Sequence, residues 1–250
     1  LNKALEYKTY WNKDFKDLTK NDVDRMQARG LYQGTIWQYR WFVPYDFKGW
    51  IELDGGEQNY LKNLDTFFER DLYNHANEPD LQAPLMYNVT KSGYKSQDWM
   101  HQLAADTVIQ NYFNDNSRGI GSFIGKIYQN KPQAYVRTMD DDAGAMSAWY
   151  VFTAGGFSPP CVGWPVYYLN VPLFKSVSYQ VKAGKTFKVE VENFSLKNKY
   201  IKEVFLNGKK FNKNYITQDE INAGGILKIV ASATPVLVSY TENWISSLEK

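Results

Sequence analysis

Three aspartates in a row, Asp140, Asp141 and Asp142, are the densest group of reactive side chains in the sequence. They precede an apolar segment of helical period, where one carboxylate could cap free N–H groups and complement the helix dipole. Three side by side repel one another, so they either splay into water or share a cation or a catalytic water. A second acidic position is Glu78, in His75-Ala76-Asn77-Glu78-Pro79. Pro at a first helical position makes this stretch a helix entry. The other reading is a hard-cation site, because a carboxylate, a nearby carbonyl oxygen and waters are the donors that calcium selects. Asp46, closing Trp41-Phe42-Val43-Pro44-Tyr45-Asp46, is a third candidate. His75 and His101, the only histidines, lie too far apart in sequence for a zinc motif. Gly-rich phosphate loop, GxSxG elbow and CxxC are all missing, which leaves nucleotide, serine-hydrolase and thiol-redox chemistry without support.

The elements that must position these residues divide near residue 165. Before it the apolar spacing is mostly helical. Ala4, Leu5, Tyr7, Trp11 and Phe15 fit one face of a first helix, and Phe47 to Leu53 form a short one closed by Gly55-Gly56. Tyr60, Leu61, Leu64, Phe67 and Phe68 recur at the i, i+3, i+4 spacing of another helix. Further helices are expected over about 96–113 and 143–154. Helices joined by long motif-bearing loops suggest an α-toroid rather than a bundle with tight turns. After Cys161 the runs VYYLNV, VSYQVK, FKVEVEN, YIKEVFLNG, GGILKIVAS and PVLVSY predict a small antiparallel sheet or half of a sandwich, with a hairpin turn on Asn207-Gly208. The expectation is a mainly α chain with a C-terminal β region: residues 1–164 as one domain, 165–250 as the other.

Composition narrows the partners. With 29 Lys plus Arg against 27 Asp plus Glu, a formal charge of +2 creates no field that argues for nucleic acid or an anionic membrane. Aromatic residues make up 16% of the chain, with 8 Trp and 19 Tyr, suited equally to core packing and to the floor of a sugar site. Cys161 is the only cysteine, so no internal disulfide forms and the redox compartment stays open. No apolar run reaches the roughly 18 residues of a membrane span, and the start has no signal-peptide core. Leu1 is not a natural initiator, from which a fragment or processed chain is expected.

Read together, YQGTIWQYRWFVPYD (32–46), NHANEPDLQAPLMYN (74–88) and DDDAGAMSAWYVFTAGGFSP (140–159) resemble three blocks of glycoside hydrolase family 92, in the same order. VYYLNVPLF (166–174) and the LNG turn add to the likeness, which spans residues 10 to 240. The resemblance implies a calcium-dependent, inverting exo-α-mannosidase. It implies a partial (α/α)6 barrel followed by a small sheet, with the family's N-terminal β-sandwich and first barrel helices as missing partners. It also implies a secreted or periplasmic home, a mannose-containing glycan or mannosyl phosphate as substrate, and no turnover by these 250 residues alone.

By the same resemblance Asp140 and Asp142 stand where the family holds its general-base carboxylates. Glu78 and the Asn77 carbonyl stand where it binds calcium, and Trp37, Gln38, Trp41, Asp46 and His75 line the sugar pocket or support it. Three departures bear on activity. The family's general acid is a Glu in a Tyr-x-Glu-Gly-Asn-x-Trp-Gln-Tyr block, whereas this chain has Gln33, and an amide donates no proton at neutral pH. Leu81-Gln82 replaces frequent histidines, and Ala145 replaces a usual Gln beside a longer loop at 115–137. A mannosyl phosphodiester, whose leaving group is already a stable anion, would need no acid. The rival readings are a mannoside-binding protein that has lost acid catalysis and another (α/α)-barrel enzyme such as a phosphorylase.

Overall fold

The structure is a computed structural model that describes residues 2–111, 122–132 and 139–249. The chain is mixed helix and sheet and divides into two compact units. Unit 1 comprises Leu1–Ala83, Thr107–Asp142 and Ile245–Lys250; unit 2 comprises Pro84–Asp106 and Ala143–Trp244. The units therefore interleave along the chain, whereas the division at 164/165 follows a change in element type. No helix among the described residues is long and apolar enough to cross a membrane.

In unit 1 the helices α1 (Asn2–Leu5) and α2 (Tyr7–Tyr10) run into a π-helical turn over Trp11–Phe15, with Trp11 buried. Helices α3 (Ile36–Tyr39), α4 (Phe47–Leu53) and α5 (Glu57–Glu69) follow. The i, i+4, i+7, i+8 pattern of α5 buries Tyr60, Leu64, Phe67 and Phe68. They meet an aromatic core in which Trp41 lies edge-on to Trp50 at 4.9 Å and Trp50 edge-on to Tyr60 at 4.6 Å. Within it Arg40 has no solvent exposure. Its guanidinium lies over Trp41 at 4.9 Å and Trp37 at 5.5 Å and is paired with Asp54 at 2.7 Å. A buried cation is tolerated only with such a counter-charge, and the ring faces add to it.

The helix expected over 96–113 is shorter. In unit 2, α6 (Gly93–Ala105) stops where Asp106 turns extended, at φ −96° and ψ 171°. Val108–Asn111 is instead strand β1 of unit 1, paired antiparallel with β2 (Ser122–Gly125). The adjacent β-branched Val108 and Ile109 favour a strand, and the partner run supplies its ladder. Tyr112 and Phe113, assigned to that helix, lie outside the described residues, as does most of the 115–137 loop.

Unit 2 adds α7 (Ala145–Gly155) and the strands β3 (Phe157–Ser158), β4 (Val166–Leu169), β5 (Ser176–Gln180), β6 (Thr186–Glu192), β7 (Tyr200–Leu206), β8 (Lys209–Lys210), β9 (Tyr215–Thr217) and β10 (Gly225–Ser232), with α8 (Gln218–Asn222) between the last two. The expected single antiparallel sheet is two sheets. One is three-stranded, β3-β4-β9; the other is five-stranded, β5-β6-β10-β7-β8, with β6 and β10 parallel. In the parallel pair β10 returns between β6 and β7, turning Leu227, Ile229 and Ala231 into the core while Ile226 is exposed and Lys228 partly exposed on the other face. Phe187, Val189 and Val191 alternate inward on β6 and pack with Ile201, Val204, Leu227 and Ile229. The Asn207-Gly208 turn forms as expected, with φ 51° and 78°, the left-handed pair that such a two-residue hairpin requires.

Candidate active site

All ten candidate site residues belong to unit 1. The loop before α3 carries Gln33, which is exposed and holds a left-handed φ of 50°. Gly34 follows because no side chain fits: a Cβ there would sit 2.4 Å from the Tyr39 ring. Thr35 then caps α3 in a reciprocal pair, accepting from Gln38 N–H at 3.2 Å while its own N–H donates to Gln38 Oε1 at 3.0 Å. Gln38 also donates from Nε2 to the Leu72 carbonyl at 3.3 Å. Its amide is thus committed to the backbone.

The Asn-Glu-Pro corner is the entry to a 3₁₀ turn over Glu78–Asp80, with Asn77 extended ahead of it. Asn77 Nδ2 donates to the Gln33 carbonyl at 2.8 Å, joining two blocks 44 residues apart. Glu78 is exposed, and among the described residues its carboxylate has no hydrogen-bond or ion-pair partner. The Asn77 carbonyl accepts from Asp80 N–H at 3.1 Å and keeps a second lone pair. These are hard oxygen donors of the kind calcium takes, though fewer than the six to eight it needs. No group of three or more His, Cys, Asp or Glu suited to a metal ion is gathered among the described residues.

The acidic triplet sits on an unusual backbone. Asp142, Ala143 and Gly144 hold φ of 43°, 56° and 94°, so two non-glycine residues are left-handed in succession. Such conformations are costly and collect at functional sites, and this one sets the carboxylates ahead of α7 instead of inside its first turn. Asp140 is exposed and Asp142 half-buried. Burial raises the Asp142 carboxyl above its ordinary value, and the charges of Asp140 and Asp141 raise it further.

The remaining candidates are buried. Trp37 and Trp41 belong to the aromatic core. Asp46 caps α4, accepting from Gly49 N–H at 3.3 Å, Leu248 N–H at 3.1 Å and the Tyr7 hydroxyl at 2.7 Å. His75 lies between the Tyr73 hydroxyl, 2.5 Å from Nδ1, and the Tyr128 hydroxyl, 2.8 Å from Nε2. Burial pulls its pKa down to about 3, so the ring is neutral at physiological pH.

Sequence reasoning missed Asp80, Tyr73 and Tyr128. Asp80 is fully buried, with Oδ2 accepting from Asn74 N–H at 2.7 Å and, among the described residues, no hydrogen-bond partner for Oδ1. Burial holds its carboxyl well above the usual range, against the Asn74 bond that lowers it. Its place two residues after Glu78 was the available signal. Tyr128 had none, since only the tertiary fold brings it to His75.

A sequence model of the glycosyl hydrolase family 92 catalytic domain matches residues 2–122 and 117–233. The chain belongs to this family. An uncharacterized secreted glycosidase of Arthroderma benhamiae is 30% identical over 218 residues, 86% of this chain and 24% of that protein. The solved structure of a family 92 glycosyl hydrolase named ccman5 matches with a TM-score of 0.84 at 26% identity, over 92% of this chain and 32% of its own. The family 92 inverting mannosidase BT2199 of Bacteroides thetaiotaomicron matches with a TM-score of 0.73 at 27% identity, over 88% of this chain and 30% of its own. The chain thus spans about a quarter to a third of the length of these family 92 relatives.

Proposed function

We propose that this chain supplies the water-activating carboxylates and part of a calcium site of an inverting exo-α-mannosidase, within a partial (α/α)6 barrel over 1–164 and a β-rich region over 165–250. The observation that carries the reading is the Asn77–Gln33 hydrogen bond, which ties the acid-position loop to the Asn-Glu-Pro corner. Asp142, its basicity raised by burial and by neighbouring carboxylates, takes the proton from the attacking water. Asp140 holds that water in line on the face opposite the leaving group, which inverts the anomeric centre. Glu78 and the Asn77 carbonyl would hold calcium, which would bind the O2 and O3 hydroxyls of the terminal mannose and so favour distortion of the ring toward its transition-state shape. Gln38, Trp37, Trp41, Asp46 and His75 act from behind, fixing the loops that touch the sugar.

Gln33 selects the leaving group. Its amide can donate a hydrogen bond to the glycosidic oxygen but cannot protonate it, and general acid help is worth roughly 10²–10⁴-fold. A mannosyl phosphodiester expels a stable anion without that help, so it is the favoured substrate over a mannobioside. A secreted or periplasmic location is supported by the secreted relative.

The test compares an α-1,2-mannobioside, an aryl α-mannoside and a mannosyl phosphodiester on a protein of the relatives' full length, with and without EDTA, and on these 250 residues as the arm expected to be silent. Gln33→Glu should raise mannobioside turnover by roughly 10²–10⁴-fold and leave the phosphodiester nearly unchanged. Binding of all three ligands without turnover of any would replace hydrolysis by the mannoside-binding reading.

A further inference from the structure

Unit 2 contains a cavity of about 240 Å³ that shares no residue with the candidate active site. It is walled by the turn into α6, by Asn214 and by the extended run 236–243. The volume is below the roughly 300–1,000 Å³ of pockets that bury drug-sized molecules, so it accommodates one small ring. Among the described residues its only charged lining residue is Lys91. A phosphate or carboxylate is usually held by converging cationic donors, and a cation needs an acid, so the lining favours a neutral ligand.

The polar groups are pre-set. Gln97 is buried and its Oε1 accepts from Ile201 N–H at 2.8 Å, which fixes the amide and leaves Nε2 as the donor to the cavity. Asn88 donates from Nδ2 to the Leu85 carbonyl at 3.0 Å, which leaves its Oδ1 as an acceptor. Asn214 braces both walls, donating to the Asn88 carbonyl at 2.9 Å and accepting from Trp244 N–H at 3.3 Å. A Cβ on Gly93 would lie 3.2 Å from Asn88 Oδ1, so glycine keeps that acceptor uncrowded. The half-buried rings of Tyr94 and Tyr240 line the same cavity, with Asn243 exposed at its rim. Fixed amides together with phenol rings match the hydroxyls and the C–H faces of a pyranose.

We propose that this cavity binds a single neutral hexose unit, independently of the catalytic reading. The experiment titrates the full chain with D-mannose, D-glucose and glucose 6-phosphate, followed by two-dimensional amide NMR. The expected result is saturable shifts at Tyr94, Gln97 and Asn243 with the neutral sugars, weakened about fivefold in Tyr94→Ala and in Asn243→Ala. Asp142→Asn, which disables only the candidate active site, should leave these shifts intact. Absence of saturable shifts, wild-type affinity in both cavity variants, or tighter binding of the phosphorylated sugar would each overturn the proposal.

Discussion

His75 has an ordinary pKa of 6.5 and a folded value of about 3, because burial disfavours the charged ring. Above about pH 6.5 both folded and unfolded chains carry it neutral, and its contribution to stability is complete. As pH falls the unfolded chain takes up a proton that the folded chain refuses, so stability drops by about 1.4 kcal/mol per pH unit down to about pH 3. Asp71, pushed up to about 6 by burial, opposes this between its ordinary 3.8 and 6, where the folded chain holds the extra proton. The His75 effect is therefore read as the difference between wild type and His75→Gln in urea titrations across pH 3–7, and a pH-independent difference would refute it. Arg40 presents the opposite case of a buried charge with its partner in place. Arg40→Ala strands Asp54 in the core and should cost about 3–5 kcal/mol, measured as a lowered denaturation midpoint, with Arg40→Met milder because it refills the space between the indoles.

At the scale of elements, the four-residue α3 survives through its cap. So short a helix cannot hold itself, and the Thr35–Gln38 exchange satisfies its free N–H groups in a buried setting where water does not substitute. Thr35→Ala should cost about 1–2 kcal/mol and raise amide exchange at Gln38. Because the same loop presents the Gln33 carbonyl to Asn77, the variant should also loosen the Asn-Glu-Pro corner, visible as faster exchange at Asp80 N–H. Unchanged protection at Asp80 would show that the corner is held independently of α3.

At the scale of the molecule, unit 1 is closed by residues from the far end of the chain. Ser246 accepts from Phe47 N–H at its hydroxyl and from Lys48 N–H at its carbonyl, and donates to the Pro44 carbonyl. Leu248 N–H adds a bond to Asp46. Ending the chain after Trp244 removes four hydrogen bonds around the α4 N-terminus, worth about 1 kcal/mol each. Hydrogen exchange should then show protection lost at Phe47 and Lys48 and kept in β6 and β10, whose partners all lie in unit 2. Loss spread evenly over both units would contradict the division.

The sequence by itself determined the helices with a long apolar period, such as α5, the alternating strands such as β6, the left-handed Asn207-Gly208 turn and family membership. Each is written in neighbouring residues: a 3.6 or 2 residue repeat, a residue that tolerates positive φ, or a motif block. What only the tertiary structure decided depends on partners remote in the chain. Val108 and Ile109 became strand rather than helix because β2 offers a ladder, and β10 joined β6 in parallel because Leu227, Ile229 and Ala231 on one of its faces are buried there. Likewise, Gln33 meets Asn77 across 44 residues, and Tyr128 reaches His75 across 53. Burial, which lowers the pKa of His75 and raises those of Asp80 and Asp142, belongs to the assembled fold, since solvent exclusion is a property of everything packed around a group and of no local spacing.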